Sequence, residues 1–311
     1  MRRIALPIII AGFVAPFLTP APAHAQASRT WVSGTGDDNN TVNGCSRTQP
    51  CKTFAASISV TDTNGEIDCI DPGGFGTLTI TKSITIDCTG TFGSVLSSGV
   101  NSITINLNTA PDTLKSVVLR GLSLNGTGGG GQAGLKGVSI LSAAVVTLED
   151  MVIMNHTQQG IADLRTTPGK LFIKNSVIRN NASVGIVVAA SGGTNMVSIE
   201  HVHSINNLYG LAVASGNQVK ATRSVFSGNS TAGVEADPGG QVSVEHSTVN
   251  FNGTGLQASG TIWAADTDVS FNQTANSGSP ILSFGNNRFY ANTSPGVGVS
   301  VGAASTDHGQ Q

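Results

Sequence analysis

Three stretches of the chain repeat one pattern. They read Val197-Ser-Ile199-Glu-His to Asn207, Val219-Lys-Ala-Thr-Arg to Asn229, and Val242-Ser-Val244-Glu-His to Asn252. Each opens with alternating apolar residues, reaches an Asn, and then meets a Gly followed by an apolar residue: Gly210-Leu211, Gly233-Val234 and Gly255-Leu256. A recurrence of about 20–30 residues is the signature of a solenoid, propeller or array. Within each unit the apolar period is two, which excludes a helical repeat. The Leu-x-x-Leu-x-Leu frame of leucine-rich repeats is absent. The pattern predicts an all-β chain wound as a single parallel β-helix.

The units extend in both directions. Upstream, Val146-Thr-Leu148-Glu-Asp leads to Asn155-His156, and Leu171-Phe-Ile173-Lys-Asn leads to Asn181. Downstream, Ile262 leads to Asn272 and Leu282 to Asn292. Asn181, Asn207, Asn229, Asn252, Asn272 and Asn292 therefore share one offset. Stacked coils would set these amides about 4.8 Å apart, the spacing of an inward amide ladder. Asn also tolerates the left-handed backbone of a tight bend, which suits it to a corner of the coil.

The chain begins with Met1-Arg2-Arg3, an apolar run from Ile4 to Leu18, and Ala23-His24-Ala25. This is the layout of a secretory signal peptide, with cleavage expected after Ala25. The apolar run is too short and too broken by Pro for a good membrane anchor, and no later stretch is long and apolar enough to span a bilayer. The expectation is an exported protein, periplasmic or secreted. Only 11% of residues are charged and the net charge is −2 with no basic block, which argues against a nucleic-acid partner.

Cys45, Cys51, Cys69 and Cys88 lie near the expected mature N-terminus. In an oxidising compartment they form two disulfides, and three pairings can be drawn. The favoured one joins Cys45 to Cys51 and Cys69 to Cys88. Zinc is the competing reading, but Cys-x5-Cys with distant partners is poor zinc spacing. Between the cysteines, Lys52 to Ile58 has apolar residues at i and i+4, predicting a short amphipathic helix that caps the first coil.

Trp31-Val-Ser-Gly-Thr-Gly-Asp37-Asp38-Asn39, Cys45-Ser-Arg-Thr-Gln-Pro50-Cys51-Lys52-Thr53-Phe54 and Gly65-Glu-Ile-Asp … Pro72-Gly-Gly-Phe75 carry a resemblance. They are similar to the opening of secreted right-handed parallel β-helix proteins of the pectate-lyase-like superfamily, nearest to small bacterial exported members without an assigned activity. The resemblance implies a right-handed β-helix over essentially the mature chain and leaves the substrate open. The domain reading is residues 1–25 signal peptide, 26–66 disulfide-braced cap, 67–299 β-helix and 300–311 flexible tail. Gly126-Thr-Gly-Gly-Gly-Gly131 reads as a loop between coils, since no Gly-Lys-Ser/Thr completes a phosphate-cradling turn.

No sequential catalytic signature is present: no Gly-x-Ser-x-Gly, no His-Glu-x-x-His, no Walker loop. Several Asn-x-Ser/Thr matches coincide with the inward Asn column and read as turn chemistry. In a solenoid, chemistry sits in stacked columns. One runs Glu149/Asp150, Lys174/Asn175, Glu200/His201, Thr222/Arg223, Glu245/His246 and Ala265/Asp266. Glu200 and Glu245 would stand two coils apart, about 9–10 Å, with Arg223 between them. That is near the upper end of the ~6.5–9.5 Å window of an inverting glycosidase. Alternatively, Arg223 would be the base of a uronate lyase. The plainer reading is a solvated charge ladder along the strand ends.

The column after each Gly is dominated by small apolar residues. Aromatic platforms for a sugar chain are few: Trp31, Trp263, Tyr209 and Tyr290 besides Phe, with Phe226 and Phe289 fitting the inward stack. Asp37 and Asp38 are oxygen-rich and would suit Ca²⁺, although an Asx-rich turn explains them too. His201, His203 and His246 read as exposed turn residues. The functional expectation is an exported binding or surface-structural module directed at carbohydrate. The alternative is a polysaccharide lyase or glycoside hydrolase acting on uronate polymers.

Overall fold

A computed structural model describes residues 26–108, 111–127 and 132–301. The chain winds through three parallel sheets, A with twelve strands and B and C with ten each, and successive strands of a sheet come from successive coils. One coil shows the plan. Gln241–Glu245 lies in sheet A, Thr248–Asn250 in sheet B and Thr254–Ala258 in sheet C, before Thr261–Ala265 re-enters sheet A. The period-two pattern decides the register. Val242, Val244, Val249, Leu256 and Ala258 all point inward with no exposed surface, and the residues between them face out. Stacked coils merge these into one continuous apolar core.

Corners are set by left-handed residues. Between sheets A and B the turn is made by Asp150, Asn175, His201, Arg223, His246 and Asp266, all with φ between 45° and 55°. Between sheets B and C it is made by Asn155, Asn180, Asn206, Gly228, Phe251, Phe271 and Ala291. The second column lies one residue before the six aligned asparagines. The left-handed bend thus belongs to the preceding residue, and the aligned Asn itself turns inward. The side chain that faces the interior cannot also be the one that takes the bend, so the two demands fall on neighbouring positions.

Those inward amides are bonded from coil to coil. Asn229 donates its backbone N–H and its Nδ2–H to Oδ1 of Asn252, at 2.9 and 3.0 Å. Asn252 does the same to Asn272, Asn272 to Asn292, and Asn181 to Asn207. Each Nδ2 from Asn207 onward also reaches a backbone carbonyl of the preceding coil, as Asn252 does with Phe226 at 3.0 Å. At the N-terminal end of the run the position is held by His156, which is 1% exposed. Coils shorten along the chain, from 26 residues between Asn181 and Asn207 to 20 between Asn272 and Asn292.

Helix α1 (Phe54–Val60) covers the first coil, with Thr53 Oγ1 accepting the Ala56 N–H at its N-terminus. Phe54 is fully buried and packs 5.1 Å from Phe75. The two disulfides are Cys45–Cys51 and Cys69–Cys88, and no cysteine is free. They tie this first region together, which limits the unfolded chain. No helix among the described residues is long and apolar enough to cross a membrane. The signal-peptide reading of residues 1–25 lies outside the described residues, as does most of the 300–311 tail and part of the Gly126–Gly131 loop.

Candidate functional site

Sheet A carries its outward side chains in three columns. The middle one runs Phe172, Ser198, Lys220, Ser243 and Trp263 on five successive strands. Beside it, towards the corner with sheet C, run Lys170, Met196, Gln218 and Gln241. These residues form a groove of about 450 Å³. Its ends are aromatic, Phe172 at one and Trp263 at the other, four strand spacings apart or about 19 Å. Between them Ser198 and Ser243 keep the floor low on either side of Lys220, whose Nζ is turned to Glu245. Gln218 Nε2 donates to Gln241 Oε1 at 3.0 Å, which fixes both amides along one wall. Phe172 and Met196 are exposed although apolar, 42% and 51%.

The third column contains Glu200 and Glu245. Both align with Thr222 of the intervening strand, so they stand two strand spacings apart. Arg223 occupies the left-handed corner and donates its Nη2 to Glu200. It does not bridge the two acids, because Glu245 pairs with Lys220 Nζ at 3.0 Å and accepts from Ser243 Oγ at 2.9 Å. The hydrogen bond from Arg223 holds Glu200 below the usual carboxylate range. At Glu245 burial works upward, but the hydrogen bonds from Lys220 and Ser243 outweigh it and the carboxyl also lies low. Two neighbouring acids both held ionised supply no general acid. Glu149 pairs with Arg120 at 2.8 Å rather than with Lys174.

One carboxyl on this sheet is moved the other way. Asp68 is pushed up to about 6, first by burial and then by Glu66 beside it. It stands five strands from Glu200, about 24 Å, so it is no acid partner for Glu200.

The sequence model of one family, described as a right-handed β-helix region, matches residues 132–274 and 171–308, together more than half of the chain. The chain belongs to the right-handed β-helix family. A solved structure, that of pectate lyase Pel9A, is similar over 82% of this chain and 67% of the other, at 14% identity and a TM-score of 0.49. No curated protein matches the sequence.

The remaining site residues of this β-helix protein serve local structure. Asp37 Oδ1 caps the 3-10 helix Asp38–Asn43 through the Asn39 N–H. Asp38 accepts from the N–H groups of Lys52 and Thr53 and from Thr53 Oγ1, all within 3.0 Å. Its oxygens therefore anchor the start of α1. Among the described residues no group of three or more His, Cys, Asp or Glu is placed to hold a metal ion. His246 Nε2 lies 3.3 Å from Asp266 and His201 Nδ1 lies 3.8 Å from Glu200.

Two features escaped sequence reasoning. The groove was missed because its residues follow no motif; only Trp263 drew notice, and the signal was the column three residues before each left-handed corner. The second is a buried ion pair at the corner between sheets C and A. Arg165, fully buried, meets Asp163 through two hydrogen bonds of 2.8 and 2.5 Å. Its Nη1 reaches the carbonyls of Ala143 and Lys170, both at 3.2 Å. An Asp two residues before an Arg at a strand end is the trace it leaves in the sequence.

Proposed function

We propose that this β-helix protein is an exported carbohydrate-binding module, and that the sheet A groove holds the glycan. The observation that carries the reading is the pair of aromatic side chains, Phe172 and Trp263, at either end of a floor of serines, glutamines and Lys220. Aromatic faces take up the apolar side of sugar rings, and fixed amides and hydroxyls answer their hydroxyls. A glycan laid along the solenoid axis crosses both rings. The two disulfides fit an oxidising compartment outside the cytosol. The acids of the neighbouring column, both drawn to the ionised form by basic partners, favour binding over hydrolysis.

Isothermal titration of the mature protein against a panel of plant and bacterial polysaccharides tests this. Binding is expected for at least one polymer, with an affinity loss of at least ~10-fold in Trp263→Ala, the scale of a buried aromatic contact. A complete absence of binding across neutral and acidic polymers would overturn the reading. Release of unsaturated sugar by the parent, followed in the ultraviolet, would replace it with the lyase alternative.

A further inference from the structure

The left-handed corner between sheets B and C changes chemistry along the solenoid. It carries Asn155, Asn180 and Asn206, then Gly228, then Phe251 and Phe271. Asn and Gly take this backbone readily; a bulky aromatic does not. Both rings are exposed, 61% and 51%, so neither backbone preference nor burial accounts for them. They stack on each other with centroids 5.4 Å apart and planes at 15°. Tyr290 closes the far side of Phe271 edge-on at 5.9 Å.

The other face of Phe251 looks along the axis towards Gly228, which has no side chain to cover it. One coil further on stands Asn206, whose Nδ2 is spent on Asn180 Oδ1 at 2.8 Å, leaving its Oδ1 to accept. Ile205, Ser227 and Asn250 are in register on adjacent strands. Asn206 and Phe251 therefore stand two strand spacings apart, about 9–10 Å. The result is a notch one ring wide: an aromatic wall, an amide wall, a glycine floor, and Ser227 and Ser230 at its open sides.

We propose that this notch binds a neutral saccharide ring, which stacks on Phe251 while its hydroxyls reach Asn206 Oδ1 and the serine hydroxyls. An aromatic face beside uncharged amide and hydroxyl groups, with Leu208 exposed on the amide side, matches the mixed polar and apolar surface of a sugar ring. The notch is on a different face from the sheet A groove and does not depend on it.

The test is a nuclear magnetic resonance titration of ¹⁵N-labelled protein with cellopentaose, xylopentaose and mannopentaose, following the amides of Asn206 and Gly228. Saturable shifts are expected with at least one of them, weakened at least ~10-fold in Phe251→Asn and Gly228→Asn and retained in Trp263→Ala. Both notch variants keep the fold, because Asn adopts the left-handed backbone and a Cβ on Gly228 meets nothing nearer than 3.8 Å. Their melting temperatures are expected to equal or exceed the parent's. Silence of both amides, or shifts that survive in both variants or vanish only in Trp263→Ala, would overturn the proposal. So would a melting temperature several degrees lower in Phe251→Asn, which would make the ring pair a structural brace. Shifts caused by a tryptophan-containing peptide and by none of the sugars would assign the notch to a protein partner instead.

Discussion

His156 meets Asn181 inside the solenoid, Nδ1 against Oδ1 at 3.2 Å, and the same oxygen accepts the His156 backbone N–H at 3.1 Å. An amide oxygen only accepts, so Nδ1 carries a proton. Burial depresses the ring's pKa to about 4 from the ordinary 6.5, so near pH 7 the ring is neutral and Nε2 accepts from the Ser102 hydroxyl, 2.9 Å away.

That shift has a sign. Between pH 6.5 and 4 the unfolded chain binds a proton that the folded chain refuses, so stability falls as pH falls through this window. The loss expected by pH 4 is about 3 kcal/mol. Chemical denaturation at pH 7 and pH 4.5 measures it. His156→Asn, which keeps an amide at the position, is expected to remove most of this pH dependence; an unchanged slope would assign it elsewhere.

The amide run predicts a cost for breaking it in the middle. Asn252→Leu leaves the backbone N–H of Asn229 without its acceptor in a dry interior and removes the Nδ2 bonds to Asn272 Oδ1 and the Phe226 carbonyl, and the expected loss is about 1–3 kcal/mol. Asn229→Leu behaves alike. Thermal melts indistinguishable from the parent would show that these hydrogen bonds contribute nothing net.

Arg165 and Asp163 behave as a unit. Arg165→Met alone strands a buried carboxylate and is expected to destabilise by about 3–5 kcal/mol. The double variant Asp163→Leu with Arg165→Met is expected to recover most of that loss. Equal destabilisation in the single and double variants would mean that packing, not charge, is what the pair supplies.

For the Glu200 and Glu245 column the expectation is inactivity. Glu200→Gln, Arg223→Ala and Glu245→Gln should change melting only modestly, because exposed ion pairs contribute at most about 1 kcal/mol. The parent should release no unsaturated product from uronate polymers. Turnover in the parent that disappears in Arg223→Ala is the result that would make this column catalytic.

The coils were legible in the sequence because one physical rule, alternation of buried apolar residues with outward ones, is followed by the sheet A strands from Val146 to Ile262. The helix from Phe54 was legible for the same reason at a different period. What could not be read was anything that depends on lateral choice between neighbours. Arg223 had Glu200 and Glu245 equally within reach by register, and its left-handed corner turned it to one of them. Lys220, which sits two residues inside the strand, took the other. The groove was hidden for a related reason: Phe172, Gln218 and Trp263 are far apart in sequence, and each alone is an ordinary outward residue.

The amide run passes only between adjacent coils, from Asn252 to Asn272 and from Asn272 to Asn292, and the strand pairing is equally local. A coil is therefore the natural unit of insertion and deletion for this chain. Excising the 20 residues from 253 to 272 would bring Asn252 against Asn292 with every inward position preserved. Excising one residue fewer would turn the next strand's core side chains to the solvent. Lineages carrying this fold are thus free to differ by whole coils, and by fractions of one only in the loops between strands, where this chain's own coils already range from 26 to 20 residues.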